Sequence, residues 1–286
     1  MRFRTELPLP QYPFRIGGDQ RLMFLGSCFS EHVSGYLAAR RQPVCANPFG
    51  ILFNPLSIAQ AIDLLTSAAA LSDRHYQQYD GRWISFAHHG RFSHPDRDVF
   101  LSQINESLQV GQQFLQTADV LFLTFGTSYY YFHREKELVV ANCHRVPAAC
   151  FDKRRACVTE VCEALAPFFA WRAQHRPDLQ VVFTVSPVRH LADGFRENQV
   201  SKSILHMAVD QLLSTYPQTH YFPAYEAFND DLRDYRFYAD DLCHPSQQGV
   251  DYILNILLKA MFSPAAVAQL EEAERTLKRE GHRPLH

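Results

Sequence analysis

The sequence predicts an α/β protein built on a mainly parallel sheet. Three short apolar runs carry that expectation: Leu22-Met23-Phe24-Leu25, Val120 to Phe125 and Val181 to Val185. Each is near-continuously hydrophobic, the pattern of a strand buried on both faces, and each stops at a glycine or a serine. Segments of helical period lie between them, so strand and helix alternate along the chain.

The elements follow in order. Residues 1–20 hold several prolines and Gly17-Gly18 and read as an extended surface arm. The first strand, about 21–25, turns at Gly26 into a helix over about 27–40, with Phe29, Val33 and Leu37 on one face. A short strand near Val44 leads into the turn Asn47-Pro48-Phe49-Gly50. Asn54-Pro55 then opens a helix over about 56–70. Residues 72–98, with Trp83, Phe86, His88, His89, Phe92 and His94, read as an aromatic loop packed over something. Helical period returns near 98 with Phe100, Ile104 and Leu108. After the strand 120–125, residues 129–132 and 138–141 flank Arg134-Glu135-Lys136 as a β-hairpin. A helix over about 154–174 precedes the strand 181–185. A polar loop, 188–198, separates that strand from a helix over 201–215. A last short strand is read at 221–222 and an irregular polar segment at 230–246. A helix over 247–261 and a more polar helical tail complete the chain.

At 286 residues the chain is long enough for a sizeable core, and it is read as one domain over 1–286. Its parts are the arm (1–20), an insertion between the second and third strands (51–118) and the C-terminal tail (264–286). The formal net charge of -2 and the absence of a long basic run argue against a nucleic-acid partner. Seven cysteines at irregular spacing fit reduced thiols rather than a disulfide framework or a zinc site. No apolar stretch is long enough to cross a bilayer, and the N-terminus does not read as a signal peptide. The expectation is a soluble cytoplasmic protein without a membrane partner, its oligomeric state open.

In parallel sheets ligands bind at the carboxyl ends of the strands, so the residues that follow each strand are the first candidates for chemistry. Ser27 follows the first strand, Gly50 the second, Gly126-Thr127-Ser128 the third, Arg189 and His190 the fourth, and Asp241 and His244 the fifth. Asp241-x-x-His244 suits an acid–base pair. A short turn lets the carboxylate accept from the imidazole Nδ1–H, leaving Nε2 free to take a proton from a serine. Taken singly, these residues also read as ordinary turn and helix caps. Cys28, beside the candidate nucleophile, reads as a small buried helix residue. His88, His89, His94 and Asp96 match no common metal-ligand spacing, so no metal is expected. His89, Arg189 and His190 are candidates for substrate contact, with an ion pair from Arg189 to Asp193 or Glu197 as the bland alternative.

These residues also sit in a series of motifs. They are Gly26-Ser27-Cys28-Phe29, Asn47-Pro48-Phe49-Gly50 with Asn54-Pro55, His89-Gly90-Arg91-Phe92-Ser93-His94-Pro95 and Asn142-Cys143-His144. Further along are Ser186-Pro187-Val188-Arg189-His190, Asp231 to Tyr238, and Asp241-Leu242-Cys243-His244-Pro245-Ser246. In these, over roughly residues 20–260, the chain resembles the GSCFA family, a branch related to the SGNH (GDSL-type) hydrolases. Ser30 stands where the family name has alanine. The resemblance implies a three-layer α/β/α sandwich with a five-stranded, mainly parallel sheet, a helical and loop insertion and a small β-hairpin. It implies Ser27 as nucleophile, Asp241 and His244 as the other triad members, and Ser27 and Gly50 N–H groups in the oxyanion hole. The third block of the related enzymes reads Gly-x-Asn-Asp, whereas this chain has Gly126-Thr127-Ser128-Tyr129. Ser128 or Asn142 is expected to supply the missing donor. The implied activity is hydrolysis or transfer of an acyl ester, such as an O-acetyl group on a carbohydrate or small molecule, with no cofactor. The alternatives are a catalytically silent binding module and a metal-assisted hydrolase.

Overall fold

The computed structural model describes residues 4–67 and 71–281. Strand β1 (Leu22–Gly26) is buried along its whole length and passes through Ser27 into α1 (Cys28–Ala39). Strand β2 (Val44–Ala46) follows. Helix α2 (Pro55–Thr66) has Pro55 in its first turn, where a missing N–H costs nothing, and Asn54 as N-cap accepting from Ser57 N–H at 2.8 Å. The last three residues of the expected helix, 68–70, lie outside the described residues.

Residues 76–85 form a hairpin, β3 (Tyr76–Tyr79) and β4 (Arg82–Ser85), where a loop was expected. Its turn is Asp80-Gly81, both at positive φ, as a two-residue hairpin turn requires. Helix α3 (Arg97–Leu115), capped by Asp96, leads to β5 (Val120–Phe125). The expected hairpin is present as β6 (Tyr129–His133) and β7 (Leu138–Val140), and a third strand, β8 (Phe151–Arg155), joins it antiparallel to β6. Residues 154–155 therefore belong to a strand rather than to a helix. The helix itself, α4 (Val158–His175), begins after them.

Strand β9 (Gln180–Val185) is followed by α5 (Phe195–Thr215), two turns longer at its start than expected, and β10 (Thr219–Tyr221). A short helix α6 (Ala224–Glu226) runs into a π-helical turn, Ala227–Leu232. Helices α7 (Gln247–Met261) and α8 (Pro264–Gly281) complete the described chain. None of the described helices is long and apolar enough to cross a membrane.

The central sheet has the order β10-β9-β5-β1-β2, and every pair in it is parallel. Successive side chains of a strand face opposite ways, and both sets are buried here. Met23, Leu25, Leu121, Leu123, Phe125, Val181 and Phe183 meet α2, α4 and α5 on one face. Leu22, Phe24, Val120, Phe122 and Val182 meet α1, α7 and α8 on the other. Phe24 and Phe122, opposite each other in register, stack at 4.5 Å between ring centres. The result is a three-layer α/β/α sandwich on a parallel five-stranded sheet. Counting only sheet strands, the order is 2-1-3-4-5, so the connections reverse direction between β1 and β5. At such a switch point the two loops diverge and leave a crevice beyond the strand ends, where open α/β sheets bind ligands.

Candidate active site

The residues after β1 and β5 meet at that crevice. The chain leaves β1 through Gly26 at φ +146°, where a Cβ would overlap the Thr124 carbonyl oxygen and lie 2.8 Å from Thr124 Cβ. Only glycine fits so close to β5 at that φ. The Gly26 N–H donates to Asn47 Oδ1 at 2.9 Å, and Asn47 N–H donates to Phe24 O at 2.8 Å, so the Asn47-Pro48-Phe49-Gly50 turn is stitched to the β1 end. Ser27 is the N-cap of α1, 1% exposed, and its Oγ has no hydrogen-bond partner. An N-cap serine normally spends its hydroxyl on the helix start, so the usual structural use is not made here. A buried hydroxyl left unpaired is rare enough to require a cause, and reactivity is one.

Asp241 and His244 lie in the loop before α7, half exposed. Asp241 Oδ2 bonds His244 Nδ1 at 2.6 Å, and Oδ1 accepts from the N–H groups of Cys243 and His244, each at 2.9 Å. One carboxylate thus closes the turn and orients the ring. The N–H donors of His244 and Cys243, with the imidazole, hold the Asp241 carboxyl down to about 2. Arg189 secures the loop from outside. Its N–H donates to Cys243 O and its guanidinium to Leu242 O, both at 3.1 Å, and it forms no ion pair with Asp193 or Glu197. Those two acids pair instead with Lys153 and with Arg155 and Arg196. Ser27 Oγ and His244 are not hydrogen-bonded to each other in this resting arrangement. Catalytic contacts commonly tighten only when substrate is bound.

A cleft of about 630 Å³ opens at this edge. Phe53, Asn142, Arg189, His190, Asp241 and His244 line it, with Tyr129, Tyr131 and Lys153 from the β6–β8 sheet. Lys153 reaches across to Asp193 and sits over the rings of Tyr129 and Tyr131. His89 is not among the lining residues. Its Cβ packs against Gly50, and its Nδ1 accepts from Arg91 N–H at 3.4 Å, so it backs the Gly50 turn rather than facing a substrate.

Three of the four expected oxyanion donors are otherwise engaged. Ser128 is fully buried and its hydroxyl and N–H both go to Ser201 Oγ, at 3.1 and 2.7 Å, because α5 packs a serine against this turn. Its side chain belongs to the core and is not free to replace the third-block asparagine. Gly50 N–H donates to Asn47 O at 2.7 Å, and Ser27 N–H to Thr124 O at 3.3 Å. Asn142 lines the cleft, with its Oδ1 accepting from His144 N–H at 2.8 Å.

Two residues that sequence reasoning passed over hold this edge together. Lys202 on α5 is 2% exposed and donates to Gly126 O and Ser186 O, both at 2.6 Å, tying the ends of β5 and β9. Burial pulls its ammonium down to about 7. The available signal was its register, since it shares the buried stripe of Asn198, Leu205 and Val209. Phe53 O accepts from both Gly126 and Thr127 N–H, at 2.8 and 2.9 Å, which fastens the loop before α2 to the end of β5.

Lys202 gives a pH signature. A depressed pKa means that, between about 7 and the ordinary lysine value near 10.5, the unfolded chain binds a proton that the folded chain does not. Unfolding free energy therefore rises with pH through that window, and the contribution is lost as pH falls through 7. Relative to Lys202→Met, the wild type is expected to gain up to about 1.4 kcal/mol per pH unit between pH 7 and 10 in urea denaturation. Parallel pH dependences for the two proteins would contradict the buried ammonium.

Cys28 is mostly buried and burial pushes its thiol up, away from the thiolate range a nucleophile needs. Cys28→Ala is expected to leave any covalent labelling of the protein by a fluorophosphonate intact, as read by mass spectrometry. Loss of labelling in that variant would make the thiol the nucleophile. Among the described residues no three His, Cys, Asp or Glu side chains come together in a way that could hold a metal.

The model of the GSCFA family matches residues 21–256, most of the chain. The chain belongs to the GSCFA family. The match takes in both β1 with its serine and the Asp241–His244 loop, so the residues described above lie inside the family region. No curated relative matches the sequence. Among solved structures, a candidate GDSL-like lipase from Parabacteroides merdae is similar at 12% identity and a TM-score of 0.44, covering 88% of this chain and 98% of its own. A carbohydrate esterase family 3 protein from Talaromyces cellulolyticus is similar at 9% identity and a TM-score of 0.39, covering 88% and 99%. An acetyl xylan esterase from Butyrivibrio proteoclasticus is similar at 9% identity and a TM-score of 0.40, covering 95% and 66%.

Proposed function

We propose that this GSCFA protein is a serine hydrolase or acyltransferase that acts on an acyl ester, with Ser27 as nucleophile, His244 as general base and acid, and Asp241 orienting His244. The observation that carries this reading is the buried, unpaired Ser27 hydroxyl at the end of β1, on a sheet edge whose neighbouring cleft is lined by an imidazole held by a carboxylate through Nδ1. In the first step a bond forms between Ser27 Oγ and the acyl carbon, the carbonyl electron pair moves onto oxygen, and the Oγ proton passes to His244 Nε2. Collapse of that intermediate breaks the ester C–O bond, and the leaving alkoxide takes the proton from His244. Water, or the hydroxyl of an acceptor, then reverses the sequence to free the serine. No part of this chemistry calls on a cofactor.

An O-acyl group on a carbohydrate suits the cleft. Its walls carry two tyrosines, two asparagines and charged groups, which offer both ring faces and hydrogen bonds to a polyhydroxylated alcohol. The test is labelling with a fluorophosphonate followed by peptide mapping. An adduct on the peptide containing Ser27, together with turnover of p-nitrophenyl acetate, supports the reading. A second reading, a binding module without turnover, draws on one observation: the N–H groups of Ser27 and Gly50 are committed to backbone carbonyls. Absence of both labelling and turnover across a broad acyl panel would favour it.

A further inference from the structure

We infer that His190 is a catalytic residue whose Nε2–H supplies the oxyanion-hole donor that the third block lacks in this chain. The inference rests on the serine reading above and assigns a role within it.

Gly126, which ends β5, is the centre of the geometry. A methyl group placed on it would lie 3.2 Å from His190 Nε2 and 3.6 Å from Ser27 Cβ, with Phe53 O at 2.9 Å. The imidazole therefore reaches the space beside the nucleophile, across a residue with no side chain of its own. Nε2 is buried and has no hydrogen-bond partner, as is true of Ser27 Oγ. Two unpaired polar atoms on either side of one glycine make a site that is complete only when something sits between them. A tetrahedral oxyanion attached to Ser27 has the charge and the size to do so.

Three of the four expected donors do not fill this role, and the fourth, Asn142, carries its Nδ2 on the Gly90 side, 3.8 Å from where a Gly90 Cβ would lie. Ser128 is turned to Ser201 in the core, and the N–H groups of Ser27 and Gly50 already donate to carbonyls. His190 supplies a side-chain donor beside Gly126 and Ser27 in their place.

His190 is also the wrong histidine for the base and the right one for a neutral donor. A base must pass through imidazolium, which needs a carboxylate beside it, and Asp241 serves His244 in that way. His190 has no such bond. Asp193, the one acid that favours its charged form, is paired with Lys153. Burial, Lys202 and His244 all oppose its charge and bring its pKa down to about 4. The ring is therefore neutral at physiological pH and carries one N–H, which the role assigns to Nε2. An edge contact with Phe53, at 5.9 Å between ring centres, holds the ring, and the His190 backbone N–H donates to Asn198 Oδ1 at 2.9 Å, which fixes the main chain beneath it.

The experiment compares wild type, His190→Ala, His190→Asn and His244→Ala with p-nitrophenyl acetate, with thermal unfolding as the folding control. His190→Ala is expected to lower kcat by about 10²–10³-fold with KM within about threefold, since an oxyanion donor acts only in the transition state. The shape of the pH–rate profile should be unchanged. His190→Asn, which offers a neutral N–H, should recover at least about tenfold of that loss. A His190→Ala rate within about threefold of wild type would overturn the assignment and leave the serine reading standing. So would loss of the acidic limb of the pH profile in His190→Ala with His244→Ala still active, which would make His190 the base. A wild type that neither labels nor turns over would instead remove the serine reading itself, and the assignment with it.

Discussion

Ser27→Ala is expected to abolish fluorophosphonate labelling and ester turnover, and His244→Ala to lower kcat by about 10⁴–10⁶-fold. These are the largest kinetic effects expected of the protein. A serine hydroxyl is almost fully protonated at neutral pH and attacks esters poorly unless a base removes its proton as the bond forms. Without His244 the half-exposed Asp241 remains, but it closes its own turn through Oδ1 and has no imidazole to orient. Residual activity in His244→Ala comes from binding and from oxyanion stabilisation alone. Steady-state kinetics with p-nitrophenyl acetate measures the loss. A fall of less than tenfold would remove His244 from the reaction. The same assay on Asp241→Asn is expected to show a smaller but still large loss, because the amide changes which tautomer of His244 is favoured.

Gly26→Ala is expected to produce the largest loss of stability from a single added methyl group. The new Cβ would overlap the Thr124 carbonyl oxygen, a backbone atom held in the β5 ladder, and the residue would have to keep φ +146°. Neither strain relaxes without moving β1 away from β5. A cost of about 3 kcal/mol or more follows from combining a disfavoured backbone region with a clash that has no flexible side chain to absorb it. Chemical denaturation measures it directly. Near-wild-type stability would mean that the β1 end can shift, and the fixed position of Ser27 would then need another source.

The central strands were legible in the sequence because burial on both faces leaves an unbroken apolar run, and β1, β5 and β9 have that form. Strand β8 was hidden for the opposite reason. Only Phe151 of Phe151–Arg155 is buried, so Asp152-Lys153-Arg154-Arg155 looks like the polar opening of a helix, and its strand character comes from pairing with β6. The hairpin β3–β4 did carry a signal, Asp80-Gly81, that the surrounding aromatics obscured. At the candidate site, Ser27, Asp241 and His244 could be named as candidates from the sequence because strand ends and the Asp-x-x-His spacing are local facts, and the structure shows the Asp241–His244 bond. The partner of Ser128 could not, because Ser201 reaches it from α5 through tertiary packing, whereas the Gly50 N–H closes its own local turn on Asn47 O. His190 was read as a substrate contact, and nothing in its neighbours in sequence shows that its ring reaches Gly126.

The sheet order also has a consequence for how the protein is made. Residues 27, 126, 190 and 241–244 are brought to one edge by four separate crossovers, so the site is assembled from contacts between distant parts of the chain. Such contacts form late, after the loops between them have been closed. No fragment that ends before residue 241 contains all the parts, and on the proposed reading the site is incomplete until β9 has docked beside β5 and the segment before α7 has settled over them. Gain of serine reactivity would therefore report completion of the fold, and a protein that lost only its last hundred residues would retain the serine while lacking everything that could activate it.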